Sequence, residues 1–312
     1  MRGDLGGMEL YWEGKDITRY AEITGCVHRD VSGGRCDAME LTLGHASQWY
    51  RWGPKADDEI VVTDGGFTTG TLYLAAVTPE DDDYRVIARS VRREGVRKSC
   101  GTYRDVTLKT LMERCAAECR MSYGLYGLDE NLNYPFIVRA YESAPAFLAR
   151  VGAWEGMTVK VYGGALRGIG IAYAQARDPI MTIRVSADQE GVTYVRRNDM
   201  KYSALTIETP WAKATARDTA ADGENTITFS HLPAMAAAQA GRWARGLTLM
   251  HNRDAERVTL ETELNYALSA MARVDIDGGT DMDGKWLIDE AEHDLIGRRT
   301  SARLKRVIDT IR

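Results

Sequence analysis

Apolar and polar positions alternate along most of the chain up to Arg92. Met8 to Tyr11 opens as a short strand, Glu13-Gly14-Lys15-Asp16 turns, and Ile17 to Val31 runs extended. In that stretch Ala21, Ile23 and Val27 alternate with polar Glu22, Thr24 and His28, the pattern of a strand with one wet face. Ser32-Gly33-Gly34 reads as a hairpin turn, and Met39, Leu41 and Leu43 alternate with Glu40 and Thr42 on the return. Ile60 to Thr63, Gly70 to Val77 and Tyr84 to Arg92 complete a run of short strands without a strong helix, which predicts a β-barrel or sandwich.

The period changes after the basic connector Arg92 to Lys98, which reads as a solvated linker or an interface rim because no aromatics interleave its cations. Leu108, Leu111, Met112, Cys115, Ala116 and Cys119 fall at helical spacing, with Asp105 or Thr107 as the cap. Tyr123 to Asn133 reads as a loop and Pro135 to Tyr141 as a strand. Ser143 then caps a helix with Pro145 in its first turn and Phe147, Leu148, Val151 and Trp154 along one face. Gly156 closes it, and Met157 to Tyr162 resumes as a strand. Gly163 to Gly170 has the glycine spacing of a phosphate loop, but Ile169 and Gly170 stand where lysine and a hydroxyl are needed, so it is a hairpin.

Pro179 opens a second strand-rich region, with strands predicted at Met181 to Val185, Val192 to Val195, Ala204 to Glu208, Thr226 to Phe229 and Val258 to Glu263. Asp218 to Asn225 is a polar loop, Pro233 to Met250 one helix with Met235, Trp243, Leu247 and Met250 apolar, and Asn265 to Ala270 a short helical or turn segment. The fold class is therefore α+β, mainly β. Residues 1–95 read as a first β-barrel or sandwich domain, 96–178 as an α/β middle module, and 179–312 as a second strand-rich domain with an inserted helix. The end of the second region echoes the first. Asp64-Gly65-Gly66 and Gly70-Thr71-Leu72-Tyr73-Leu74 are answered by Asp277-Gly278-Gly279 and Gly284-Lys285-Trp286-Leu287-Ile288. Ala88-Arg89 with Arg92 is answered by Ala302-Arg303 with Arg306.

Composition changes this picture little. Hydrophobic residues at 44% and charged residues at 27% are ordinary for a globular protein, and a net charge of -5 gives no reason to expect DNA or an anionic membrane as a dedicated partner. No apolar run approaches a membrane span and the start does not read as a signal peptide, so synthesis in the bacterial cytoplasm is expected. Five cysteines, Cys26, Cys36, Cys100, Cys115 and Cys119, form no disulfide framework and read as thiols.

Arg139, Glu142, Phe147, Leu148, Arg150, Glu155 and Gly156 make a strand ending in arginine, an acidic residue, a short Phe-Leu-x-Arg helix, and a glycine before the next strand. This resembles the middle of phage late control gene D proteins. These are the baseplate hubs of contractile tails, with relatives in phage-like bacteriocins, contractile injection systems and the hub half of type VI spike proteins. The closing run from Gly284 through Trp286, Ile288, Glu292 and His293 to Leu304 and Arg306 is similar to the family's final hairpin.

The resemblance implies two related barrels around an α/β module, acting as a virion structural protein that joins a sixfold tail tube to a trimeric central spike. It implies a homotrimer that presents two barrels per chain around one axis, a channel with few cations for the tape-measure protein, and no cofactor. The implied partners are the tail tube protein, other baseplate proteins and a separate spike, since the chain ends soon after Arg306. Subunit contacts are expected at Gly70, Tyr73, Arg89, Arg92, Gly284, Trp286, Arg303 and Arg306.

The alternative is a tail-tip cell-wall (peptidoglycan) hydrolase. A third reading, a type VI-like effector carrier, needs a fused spike. Glu290, Glu292, His293 and Asp294 cluster on one strand, but alternation places His293 opposite Glu292 and Asp294. Asp81-Asp82-Asp83 lacks calcium-loop spacing, and no HExxH, GxSxG or CxxC occurs. No catalytic or metal residue is therefore assigned.

Overall fold

The computed structural model describes residues 7–186, 188–221 and 225–312. The expected chain start and part of the polar loop before Asn225 lie outside the described residues.

The first β unit contains β1 (Met8–Trp12), β2 (Lys15–Asp16), β3 (Ile23–Val31), β4 (Ala38–Gly44), the helix α1 (Ala46–Trp52) and β5 (Glu59–Asp64). It is completed by β6 (Phe67–Thr68), β7 (Leu72–Glu80) and β8 (Asp83–Arg89). The strands pair in the order β3-β4-β8-β7-β5-β1-β2. Residues from both ends of that order, Leu10 and Trp12 with Ile23 and Cys26, share one core with Leu41, Val62, Leu72 and Val86, so the sheet curls around them. Helix α1 was not expected. It holds because Trp49 is buried beside Trp12, with ring centroids 6.5 Å apart, a tertiary contact that outweighs weak helix propensity. The alternation expected for β3 also fails after Thr24, where a bulge shifts the register. Beyond it Cys26 and His28 turn into the core and Val27 is left half-buried, the reverse of the sequence pattern.

The middle module runs through β9 (Ser99–Thr107), α2 (Leu108–Glu118), β10 (Ser122–Tyr126) and β11 (Asn133–Glu142). It continues with α3 (Ala144–Trp154), β12 (Met157–Tyr162), β13 (Ala165–Gly170) and α4 (Ile171–Ala176). β9 and β11 form a two-stranded ribbon, and β10 lies parallel to β13 in a three-stranded sheet with β12. The predicted loop from Tyr123 therefore begins as a strand. Thr107, not Asp105, caps α2 by accepting from the Thr110 N–H at 3.2 Å, and Ser143 caps α3.

The remaining chain supplies β14 (Thr182–Arg184), β15 (Val192–Arg196), β16 (Ala204–Glu208), β17 (Lys213–Arg217) and β18 (Thr226–Phe229). Helix α5 (Ala237–Arg253) follows, then β19 (Glu256–Glu263), β20 (Arg273–Asp277), β21 (Gly284–Asp294) and β22 (Arg299–Arg306). α5 begins later than predicted, and Met235 lies outside it and is exposed. With β16, β17 and β18 it joins the core of the middle module, through Leu205, Ile207, Ala216, Trp243 and Leu247. Trp154 and Trp243 meet there at 4.7 Å. The second β unit has its own core of Val258, Leu260, Val274, Trp286, Ile288 and Leu304.

The internal repeat extends to the order of five strands in each unit and stops there, since β1 pairs antiparallel with β5 but β14 parallel with β20. The first unit pairs as β3-β4-β8-β7-β5 and the second as β15-β19-β22-β21, with β20 on β21. Both hairpins carry a bulge at the same place, between Leu74 and Ala76 and between Ile288 and Glu290. Register corrects one part of the sequence alignment. Leu74 faces Ala88, whereas Ile288 faces Leu304, because the connection is Asp81-Asp82 in one copy and Leu295 to Arg298 in the other. Ala88 thus corresponds to Leu304, not to Ala302. The two units share one 14-stranded sheet, joined where β3 pairs antiparallel with β21.

Candidate functional site

Register places the residues expected to make subunit contacts. Trp286 is fully buried, donates its indole N–H to the Met282 carbonyl at 2.7 Å, and is covered by the Arg306 guanidinium at 4.3 Å. Arg306 is further committed to Glu256 at 2.9 Å. In the first unit Arg92 lies 4.2 Å over Tyr73 and pairs with Glu59 at 2.6 Å. Each copy therefore closes with an arginine laid on an aromatic of its own hairpin, and these contacts lie within a unit. Arg89 and Arg303 are exposed, and Gly70 and Gly284 hold turns at φ 65° and 124°.

The seam between units shows what a completed contact looks like. His28 faces His293 across β3 and β21, their rings stacked with centroids 6.2 Å apart, while Phe67 and Tyr266 stack at 4.0 Å beside them. Burial first, then the charge of a neighbouring His293, pushes the His28 imidazole down to about 3, and burial lowers His293 as well. Neither His28 ring nitrogen has a hydrogen-bond partner among the described residues, and His293 Nδ1 meets Thr300 Oγ1 at 3.0 Å. The two buried rings form a packed joint between the units.

The repeat also exposes what is unpaired. In β21, Glu290 to Asp294 receive β3. Among the described residues, the corresponding stretch of β7, Ala76 to Glu80, pairs only with β8, and it is exposed throughout. In the second unit β15 occupies the position of β3, pairing with β19 as β3 pairs with β4, and it is the end strand of the sheet. Two complementary edges are therefore open, and each presents an exposed valine, Val77 at 39% and Val195 at 43%. Sequence reasoning found both strands but not their equivalence, which lies in the pairing order.

Two of the three carboxylates of the acidic cluster on β21 are paired with arginines, and Asp294 accepts from the Gly297 N–H at 2.8 Å. Glu290 is paired with Arg35 at 3.0 Å and Arg303 at 3.1 Å, and Glu292 with Arg29 at 2.6 Å. His293 points to the opposite, buried face, as alternation predicts. Among the described residues no group of three His, Cys, Asp or Glu is arranged to hold a metal, and no helix is long and apolar enough to cross a membrane.

The sequence matches no family model, and a search of curated proteins finds no match. Solved structures do match over nearly the full chain. The tail protein from Neisseria meningitidis aligns at 12% identity and a TM-score of 0.72, covering 96% of this chain and 97% of that one. The 43 kDa tail protein of prophage MuSo2 from Shewanella oneidensis aligns at 12% identity and a TM-score of 0.73, covering 98% and 99%. This chain has the fold of phage tail proteins. An Escherichia coli component of the type VI secretion system, described as similar to the T4 tail proteins gp27 and gp5, aligns at 8% identity and a TM-score of 0.59, covering 96% and 77%.

Within this phage-tail fold the residues that carry the sequence resemblance bind the module together. Arg139 is buried and grips Glu118 through both carboxylate oxygens at 2.9 and 2.7 Å, while its Nε donates to the Glu142 carbonyl. The side-chain hydrogen bond from Arg150 holds the Glu142 carboxyl below its ordinary value. Glu155 accepts from the Trp243 indole at 2.7 Å and from Arg242, which ties α3 to α5. Gly156, at φ 66°, lets the chain turn against Gly246.

Proposed function

We propose that the chain is a structural hub of a contractile tail or phage-like particle, a homotrimer that joins the tail tube to a separate spike within the baseplate. The observation that carries this reading is the pair of open, equivalent edges on a two-unit chain. The internal seam β3–β21 supplies the template, and transferring its register places Thr78 of one copy opposite Val195 of the next, and Val77 opposite Arg196. Such a contact is heterologous and propagates around a ring until it closes, and it hides both edges. Three copies then offer six β units toward a sixfold tube. The division into two β units and a middle module is part of the same proposal, as is a non-enzymatic role: the β21 carboxylates are committed to arginines rather than poised in a cleft.

A double variant Thr78→Cys/Val195→Cys, in a Cys100→Ser background, tests the contact. Oxidised and run without reductant, it is expected to give linked dimers and trimers, with three chains in native mass spectrometry. Absence of linkage at concentrations where trimers form, or a ring of another size, overturns the reading. Clearing of cell walls on a zymogram would favour the hydrolase instead.

A further inference from the structure

Where the middle module meets the first β unit, three ionisable side chains are enclosed together. Lys160 projects from the centre of β12, Asp30 lies near the end of β3, and Asp37 follows the turn before β4. Lys160 and Asp30 retain only 9% and 8% of their exposure, and Asp37 none. Lys160 Nζ contacts Asp30 Oδ1 directly, and Asp37 Oδ2 stands 3.5 Å from the same nitrogen. Backbone bonds fix the surrounding frame: Gly34 donates to Val159 and Asp37 to Val161 at 2.8 and 3.4 Å, and Ser90 Oγ donates to Val161. The second Asp30 oxygen accepts from the Ala270 N–H at 3.2 Å, and Asp37 Oδ1 from the Val31 N–H at 3.0 Å.

We propose that Lys160 and Asp30 condense to an intramolecular isopeptide bond, with Asp37 as the proton shuttle, so that the middle module is covalently locked to the first β unit. Buried in this way, an ammonium and a carboxylate have lost most of their hydration, and conversion to a neutral amide removes both charges from the interior. Burial also pushes the Asp37 carboxyl upward, the direction that suits a group taking up and returning a proton.

In the reaction one proton passes from the Lys160 ammonium to Oδ1 of Asp30, and the lysine nitrogen adds to Cγ of that carboxyl. Asp37 takes the proton released by nitrogen and returns it to the departing hydroxyl, Oδ1. The Ala270 N–H holds the oxygen that remains as the amide carbonyl. One C–N bond forms, one C–O bond breaks, one water leaves, and nothing is oxidised or reduced. An adjoining cavity of about 650 Å³, lined by Lys160, Asp30, His28 and Tyr162, takes up that water. Fixed proximity supplies the rate without any cofactor, since oriented intramolecular reactions reach effective molarities of roughly 10⁵–10⁸ M.

Denaturing mass spectrometry of the full chain, held folded at neutral pH for a day, tests this. The expected mass is about 18 Da below that of the sequence, the loss of one water in a covalent modification. A tryptic digest should contain a branched peptide joining the segments around Asp30 and Lys160, with no cleavage at Lys160. Asp37→Asn and Lys160→Arg should return the full mass. An unmodified wild-type mass overturns the proposal, and so does a loss of water that maps elsewhere, for instance to a succinimide at an Asp-Gly step. The wild-type measurement decides even if both variants fold poorly.

Discussion

Acid should weaken this protein through His28, and the structure gives the size of the effect. His28 is 2% exposed, both of its ring nitrogens lack partners, and its imidazole is pushed down from 6.5 to about 3, by burial first and by His293 and Lys160 after it. Its folded-state value is depressed, so the unfolded chain binds the proton first as pH falls. The contribution to stability is intact above 6.5 and is lost progressively from there toward 3. At pH 5 the unfolded state is favoured by about 2 kcal/mol relative to neutral pH from this one group. His293, lowered by its own burial, adds in the same direction. His28→Phe removes the titration and two unpartnered polar atoms while keeping a ring beside Phe67, so it should be nearly neutral at pH 7.5. Urea midpoints of wild type and variant at pH 7.5 and 5.0 measure the difference, and effects of Asp30 and Lys160 are common to both proteins. The variant should lose about 2 kcal/mol less on acidification. An equal loss in both would show that His28 is not held neutral in the folded protein.

Trp154→Ala, which empties the joint between α3 and α5, should cost about 3–5 kcal/mol, read as a fall in thermal and denaturant midpoints; unchanged midpoints would refute that packing. Gly246→Ala drives a methyl to 2.2 Å from the Trp154 carbonyl oxygen, backbone that cannot rotate away, and should cost at least about 1–3 kcal/mol. Gly241→Ala on the same helix meets nothing nearer than 3.9 Å and should be neutral or stabilising by about 0.5–1 kcal/mol, so equal midpoints for the two variants would refute the close approach. All five cysteines should titrate as free thiols after denaturation without oxidant, and a shortfall of two would reveal a disulfide.

Most strands were legible because one face is wet and the other dry, and α3 was legible from its cap, its proline and its apolar stripe. What escaped depended on partners distant in sequence. The bulge at Thr24 inverts β3, and a glycine at position 25 within a strand pattern was the available signal. Helix α1 exists through a tryptophan contact, and β9 is exposed along most of its length, so neither has a clean period. α5 reads as an amphipathic helix, yet nothing in its sequence says that its apolar face belongs to the middle module rather than to the second β unit. The repeat was visible as a few glycines and cations, whereas its full extent lies in hydrogen-bond order, which the two copies keep with different side chains.

That difference in side chains separates a seam made once from an edge that has to wait. Where the chain joins its own units, the facing pair is His28 and His293, two neutral rings that are stable only while covered. At the equivalent positions on the open edges stand Tyr194 and Pro79. Tyr194 keeps its hydroxyl on Glu256, and Pro79 has no N–H to leave unpaired. Arg196 at the end of β15 and Glu80 at the end of β7 put a charge on each edge. Charges and proline on an edge discourage indiscriminate strand pairing. In the proposed assembly each subunit is exposed to water before it joins its neighbours, so water-tolerant groups suit the outer contact and buried rings the inner one. The two copies of the repeat diverge in that sense at the positions where their neighbours differ.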